Sequence, residues 1–213
     1  MSSVADEAAA VVAAAAAAAQ TAAQAASSSV VSQQYDIAAP ATIMAGEEYT
    51  KHFATVRKNP VDFNTWALLL NASASEKYEA IVQAFDAFLS YYPFCYGYWK
   101  KYADHTQRNA SANGLGPEAV IAVYERGVAA VPHSVDMWAH YCNFMSSLTM
   151  ERTTVEAVRA VYRRAVAVVG SAPLANANKI NQLWNSLLRF ELEVSKDATQ
   201  VAEVCPVVSL HAG

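Results

Sequence analysis

The sequence is sparing with the residues that break or staple a chain. It has 7 Gly, 7 Pro and 3 Cys in 213 residues, and only 16% of positions are charged. Collagen-like and cysteine-framework architectures are excluded by those figures, and a hydrophobic fraction of 54% excludes a wholly disordered chain. Cys95, Cys142 and Cys205 are odd in number and widely spaced, so no disulfide framework follows from them. Cys95 and Cys142 sit in apolar, aromatic segments, where reduced thiols are usual; this favours a reducing compartment, cytosol or nucleus. Long apolar runs are also lacking. The run Ala8–Ala19 covers 12 residues and follows Asp6 and Glu7 instead of a basic segment, so neither a membrane span nor a secretion signal is expected.

Basic residues are missing from one region altogether. Residues 1–50 carry five acids and no Lys or Arg, residues 51–191 carry 14 bases and 11 acids, and residues 192–213 carry one base and three acids. A mildly basic middle does not make the concentrated cationic face that strong phosphate binding needs. Of the first 50 residues 19 are Ala. Such a stretch favours transient helix but has no large side chains to bury, and residues 1–50 read as a low-complexity, disordered leader.

From Phe53 onward the texture is repetitive. Trp66, Trp99, Trp138 and Trp184 open similar patterns: Trp66 with Leu69 and Leu70, Trp99 with Tyr102, Trp138 with Tyr141 and Phe144, Trp184 with Leu187 and Phe190. Spacings of three and four put these groups on one helical face. Between them lie three further helical segments, Ile81–Tyr92, Val120–Val131 and Val158–Val169. Their aromatics Phe85, Tyr124 and Tyr162 are 39 and 38 residues apart, each followed eight positions later by Pro93, Pro132 or Gly170. Asn59-Pro60, Gly116-Pro117-Glu118 and Ser134 read as helix starts. The expectation is an all-α solenoid of about three and a half helical hairpins over 51–193, stacked as a right-handed curved rod and followed by a non-repeat tail, 194–213. The fourth unit looks incomplete. Either another chain covers its open face or the sequence is part of something longer, and the second is preferred.

One segment is more specific than the periodicity. Phe88-Leu-x-x-Tyr92-Pro93-x-Cys95-Tyr96-Gly97-Tyr98-Trp99-Lys100-Lys101-Tyr102-Ala103-Asp104 lies between Asn59-Pro60-x-Asp62-Phe63-x-x-Trp66 upstream and Val123-Tyr124-Glu125-Arg126-Gly127 with Ser134-Val135-Asp136-x-Trp138-x-x-Tyr141 downstream. Together these resemble the half-a-tetratricopeptide (HAT, TPR-like) repeats of the pre-mRNA-processing factor 39 family, over residues 53–170 and more loosely 180–193. The resemblance implies a nuclear, non-enzymatic scaffold of the U1 small nuclear ribonucleoprotein that acts in 5′ splice-site selection through its proteins, with RNA association indirect. It also implies that Glu125 and Arg126 bond between repeats. Members of the family pair with a like subunit through a carboxy-terminal array. That array is not in this sequence, which removes the expected basis for dimerisation.

No chemistry-bearing constellation competes with this reading. His52, His105, His133, His140 and His211 show no metal spacing, and His140 and Cys142 project from different sides of one helix. Asn113-Gly114-Leu115-Gly116 lacks the Lys and the strand of a phosphate loop and reads as a turn. Glu76 with Glu79, and Glu151 with Glu156, read as surface charges on helices. No catalytic residue, metal or cofactor is expected. Lys100 and Lys101, and Arg159 with Arg163 and Arg164, form two basic clusters. They read first as solvated faces, and more sharply as contacts to an acidic protein tail or RNA phosphate. The rival functions are a HAT scaffold of another assembly, in messenger-RNA 3′-end cleavage or ribosomal-RNA processing, and a direct RNA-binding protein.

Overall fold

A computed structural model describes residues 45–148, 155–170 and 177–195. The leader through 44, Glu151, Arg152, the linker at 171–176, Cys205, His211 and the tail from 196 lie outside the described residues. Among those described there are eight α-helices and no strand: α1 (Glu47–Lys58), α2 (Phe63–Ser73), α3 (Tyr78–Tyr91), α4 (Tyr96–Ala110), α5 (Pro117–Ala130), α6 (Val135–Ser147), α7 (Val155–Gly170) and α8 (Ala177–Ser195). They fall into two compact units, the first holding α1–α5 and the second α6–α8.

The tryptophan-bearing helices bury one repeating stripe. Trp66, Leu69, Leu70 and Ser73 in α2 occupy the same spacing as Trp99, Tyr102, Ala103 and Thr106 in α4, and as Trp138, Tyr141, Cys142 and Met145 in α6; all are buried. Spacings of zero, three, four and seven are one face of a helix. Partner helices answer with Ile81, Ala84, Phe85 and Phe88 in α3, Ile121, Tyr124 and Val128 in α5, and Val158, Val161, Tyr162 and Ala165 in α7. Phe85 stacks on Tyr102, with ring centroids 5.2 Å apart and planes 9° apart, and Tyr162 stacks on Phe190 at 5.9 Å. These helices were legible from Phe85, Tyr124 and Tyr162, but each begins about a turn earlier than the apolar run, because a first turn needs no buried side chains.

Three local readings change. Asn59-Pro60 does not cap α2. Asn59 ends α1, and the cap is Asp62, whose carboxylate accepts from the Asn64 amide at 3.1 Å and from Thr65 Oγ1 at 2.5 Å. Glu76 is not on a helix; it lies in the α2–α3 connection and accepts from the Gly46 amide at 3.0 Å. Trp184 is only half-buried, because the α8 stripe runs through Leu183, Leu187 and Phe190, one residue out of phase with the tryptophan. The other starts stand as read. Pro117 opens α5 after Gly116, and Ser134 Oγ accepts from the Met137 amide at 3.3 Å.

Helix α1 begins four residues before the repeat array was expected, at Glu47. Its buried residues are Tyr49, Phe53 and Val56. The Tyr49 hydroxyl donates to the Ala80 carbonyl at 3.2 Å and to Gln83 Oε1 at 2.9 Å, tying α1 to α3. Burial, with Glu76 nearby, pushes that phenol up to about 12. At Gly114 the chain takes φ 63°, the left-handed conformation that glycine adopts without a Cβ penalty, and the following amide of Leu115 returns to the Ala110 carbonyl at 2.8 Å. The Asn113–Gly116 segment is thus the inter-helix turn it was read to be.

Candidate functional site

Three of the four tryptophan helices, α2, α4 and α6, are anchored by the same device. The indole N–H of Trp66 donates to the Pro60 carbonyl, that of Trp99 to Pro93, and that of Trp138 to Pro132, in every case at 2.8 Å. A proline six residues ahead supplies an acceptor exposed by the turn, and the bond satisfies the single polar atom of an otherwise buried ring. Trp66, Trp99 and Trp138 are therefore spent on packing and on this bond.

Arg126 is the bridging residue of the first unit. Its Nη2 lies 2.8 Å from Asp86 Oδ1 on α3, while its guanidinium sits 5.2 Å from the Trp99 ring centroid and 5.8 Å from that of Tyr102, both on α4. That buried oxygen has no hydrogen-bond partner, so the guanidinium charge is what compensates it. Burial alone would depress Arg126, but Asp86 and Tyr102 more than offset it and hold the pKa above its ordinary value. Glu125, the other half of the pair expected to bond between repeats, is 1% exposed and is not without a partner. Asp86 was missed as a functional position, although it stands 39 residues before Glu125 and so occupies the same place in the preceding hairpin. In the second unit Arg164 repeats the stacking, 5.4 Å from the Trp138 centroid.

The basic clusters separate once side chains are placed. Arg159 is taken up internally. It gives Nε to Glu191 Oε1 at 2.7 Å, Nη2 to Glu191 Oε2 at 2.6 Å and Nη1 to Glu156 Oε1 at 2.6 Å. Glu191 is 1% exposed, and its bidentate bond is the polar lock between α7 and α8; these hydrogen bonds outweigh burial and raise the Arg159 pKa. Glu191 was not singled out from the sequence, since nothing local distinguishes it from a surface acid. Arg163 is exposed, as expected of a surface contact. Lys100 pairs with Asp104 at 2.5 Å, and Lys101 is exposed with Nζ 4.8 Å from the Tyr98 ring centroid. Lys179 joins α8 to α6 through Asp136 at 2.5 Å.

Among the described residues no three His, Cys, Asp or Glu gather as a metal site, and no helix is long and apolar enough to cross a membrane. Cys142 is fully buried and burial pushes its thiol up; Cys95 is raised by the same cause. Neither has the lowered pKa of a reactive nucleophile.

Stacked hairpins with a tryptophan–proline anchor and an arginine bridging successive second helices define a HAT-type array, and residues 50–208 match the family model described as PRP39 N-terminal HAT repeat. The chain belongs to this family. It is 37% identical over 149 residues to human pre-mRNA-processing factor 39, covering 68% of this chain and 21% of that protein. The fission yeast Schizosaccharomyces pombe protein of the same name is 33% identical over 155 residues, covering 68% and 23%. Pre-mRNA-processing factor 39-2 of Arabidopsis thaliana is 35% identical over 94 residues, covering 42% and 9%. The chain thus spans about a fifth of the length of the full-length animal relatives it matches. No solved structure matches it.

Proposed function

We propose that the chain acts in pre-mRNA splicing as a non-enzymatic, nuclear scaffold of the U1 small nuclear ribonucleoprotein, contributing to 5′ splice-site selection through protein–protein contacts. The observation that carries this reading is family membership over residues 50–208, supported by relatives named for pre-mRNA processing. The architecture fits a scaffold. Among the described residues, polar side chains lock helices together, as at Arg126–Asp86 and Arg159–Glu191. Scaffold surfaces of stacked hairpins bind by groove and polar contacts, and Lys101 and Arg163, the exposed members of the two basic clusters, are the contacts we assign to partners.

The test is to purify the tagged chain from nuclear extract and sequence the co-purifying small RNAs, with and without ribonuclease. Enrichment of U1 RNA with its core proteins is the expected result. Loss of the core proteins on ribonuclease treatment would show that RNA, not protein, makes the contact. Absence of U1 from a soluble, helical preparation would reject U1 docking by this chain.

A further inference from the structure

The described part of the chain leaves six large hydrophobic side chains exposed: Val61, Phe63, Leu68, Phe94, Tyr96 and Leu192. Four of these fall at two equivalent positions. Val61 and Phe94 are the first residues after Pro60 and Pro93, and Phe63 and Tyr96 the third, so the two pairs stand 33 residues apart at equivalent points of successive inter-hairpin turns. Val61 is 71% exposed and Phe94 78%, and Phe63 and Tyr96 are 41% and 43%. Scattered exposed apolar residues need no explanation; the same two positions exposed in consecutive repeats do.

The turns lie against each other. The Tyr92 hydroxyl donates to the Pro60 carbonyl at 3.3 Å and to the Val61 carbonyl at 3.1 Å. The Phe63 ring meets Tyr92 at 5.5 Å and Tyr98 at 5.9 Å, edge to face. These contacts join the two turns through Phe63, Tyr92 and Tyr98. Cations flank the turns in the sequence. Arg57 and Lys58 close α1 just before Pro60, and Lys101 stands over Tyr98. All three are exposed, and none enters an ion pair among the described residues. Asp62, the acid in these turns, is engaged by Asn64 and Thr65.

We propose that this edge of the first unit docks an extended acidic peptide segment of a partner protein. Apolar anchors would sit on Phe63, Phe94 and Tyr96, and flanking carboxylates would meet Arg57, Lys58 and Lys101. Charge complementarity selects the sign of the partner. Three exposed cations, at the end of α1 and on α4, are too few to follow a phosphate backbone, which favours a peptide over single-stranded RNA. The surface shares Lys101 with the partner contacts assigned above, and peptide binding tests it independently of U1 docking.

The experiment pans a random peptide library displayed on phage against the purified full chain, then measures the enriched peptides, resynthesised, against Phe94→Ser, Lys101→Glu and the double variant. Both positions are exposed, so circular dichroism and thermal melting should match the parent. The expected result is enrichment of peptides with Asp or Glu flanking aromatic or aliphatic anchors, bound about tenfold more weakly by each single variant. Peptides lacking acids, no enrichment, or binding indifferent to both variants would overturn the proposal. So would labelled oligouridylate that binds the parent, displaces the peptide and is lost in the same variants, since the edge would then be an RNA platform.

Discussion

At the scale of single residues, tryptophan does two jobs that the sequence pattern shows as one. Trp99 is 4% exposed, and its indole N–H is spent on the Pro93 carbonyl at 2.8 Å. Trp99→Ala removes the ring and the bond together and should cost roughly 3–5 kcal/mol in urea unfolding. Trp99→Phe keeps most of the packing, and its smaller cost should include about 1 kcal/mol for the lost hydrogen bond. If the alanine variant unfolds at the parent's midpoint, the anchor is not structural. His105 supplies a pH dependence. It lies 5.5 Å from the Phe85 ring, and burial, reinforced by Arg108 and Lys101 against the pull of Asp104, lowers its pKa below 6.5. The unfolded chain therefore takes up the proton first. Stability conferred by neutral His105 is present above pH 6.5 and is lost as pH falls through the depressed folded value. Thermal melts between neutral and mildly acidic pH should show a smaller drop for His105→Gln than for the parent.

At the scale of elements, helices are joined by charge in two different ways. Arg126 and Asp86 keep 38% and 42% side-chain exposure, so Asp86→Ala should cost about 1 kcal/mol. Arg126→Ala should cost more, because the stacking over Trp99 and Tyr102 goes as well. Arg159 and Glu191 are at 18% and 1%, which makes this pair of the buried kind. Arg159→Ala takes the bidentate guanidinium away from a carboxylate buried between α7 and α8 and should cost about 3 kcal/mol, whereas Arg163→Glu on the exposed side of α7 should leave the melting temperature unchanged. Equal effects of the two arginine variants would contradict the assignment of one to the interior and the other to the surface.

At the scale of the molecule, charge is distributed thinly. Residues 51–191 carry 14 bases against 11 acids, and several of the bases are neutralised within the fold at Asp86, Asp104, Asp136 and Glu191. The rest are spread along the chain from α1 to α8 and do not gather in one run. Any binding to single-stranded RNA should accordingly weaken only gently with salt, with a logarithmic slope no steeper than about −2, measurable by anisotropy titration at two or three ionic strengths. A much steeper slope would move the reading from protein scaffold to direct RNA binder.

Helix type and hairpin order were readable in the chain because they depend on periodic burial, which is local. Trp66, Trp99 and Trp138 each carry their apolar partners three and four residues on, and Phe85, Tyr124 and Tyr162 keep step with them. The family, too, was readable from the run Tyr92–Asp104. What the one-dimensional pattern could not supply was pairing between distant positions. Nothing in the sequence joins Asp86 to Arg126 until their ion pair links α3 to α5, and Glu191 reads as any acid until it meets Arg159 across α7 and α8. The same limit hid the start of α1, whose few apolar residues acquire meaning from Tyr49 reaching α3, and it misjudged Trp184, where the buried stripe of α8 passes one residue away. A spacing of three or four states which residues share a face, and it does so without knowledge of the neighbour. Which charges are buried, which cations stay free and which apolar side chains stay wet depend on what that face is packed against, and that is a property of contacts between residues some 30 to 40 positions apart.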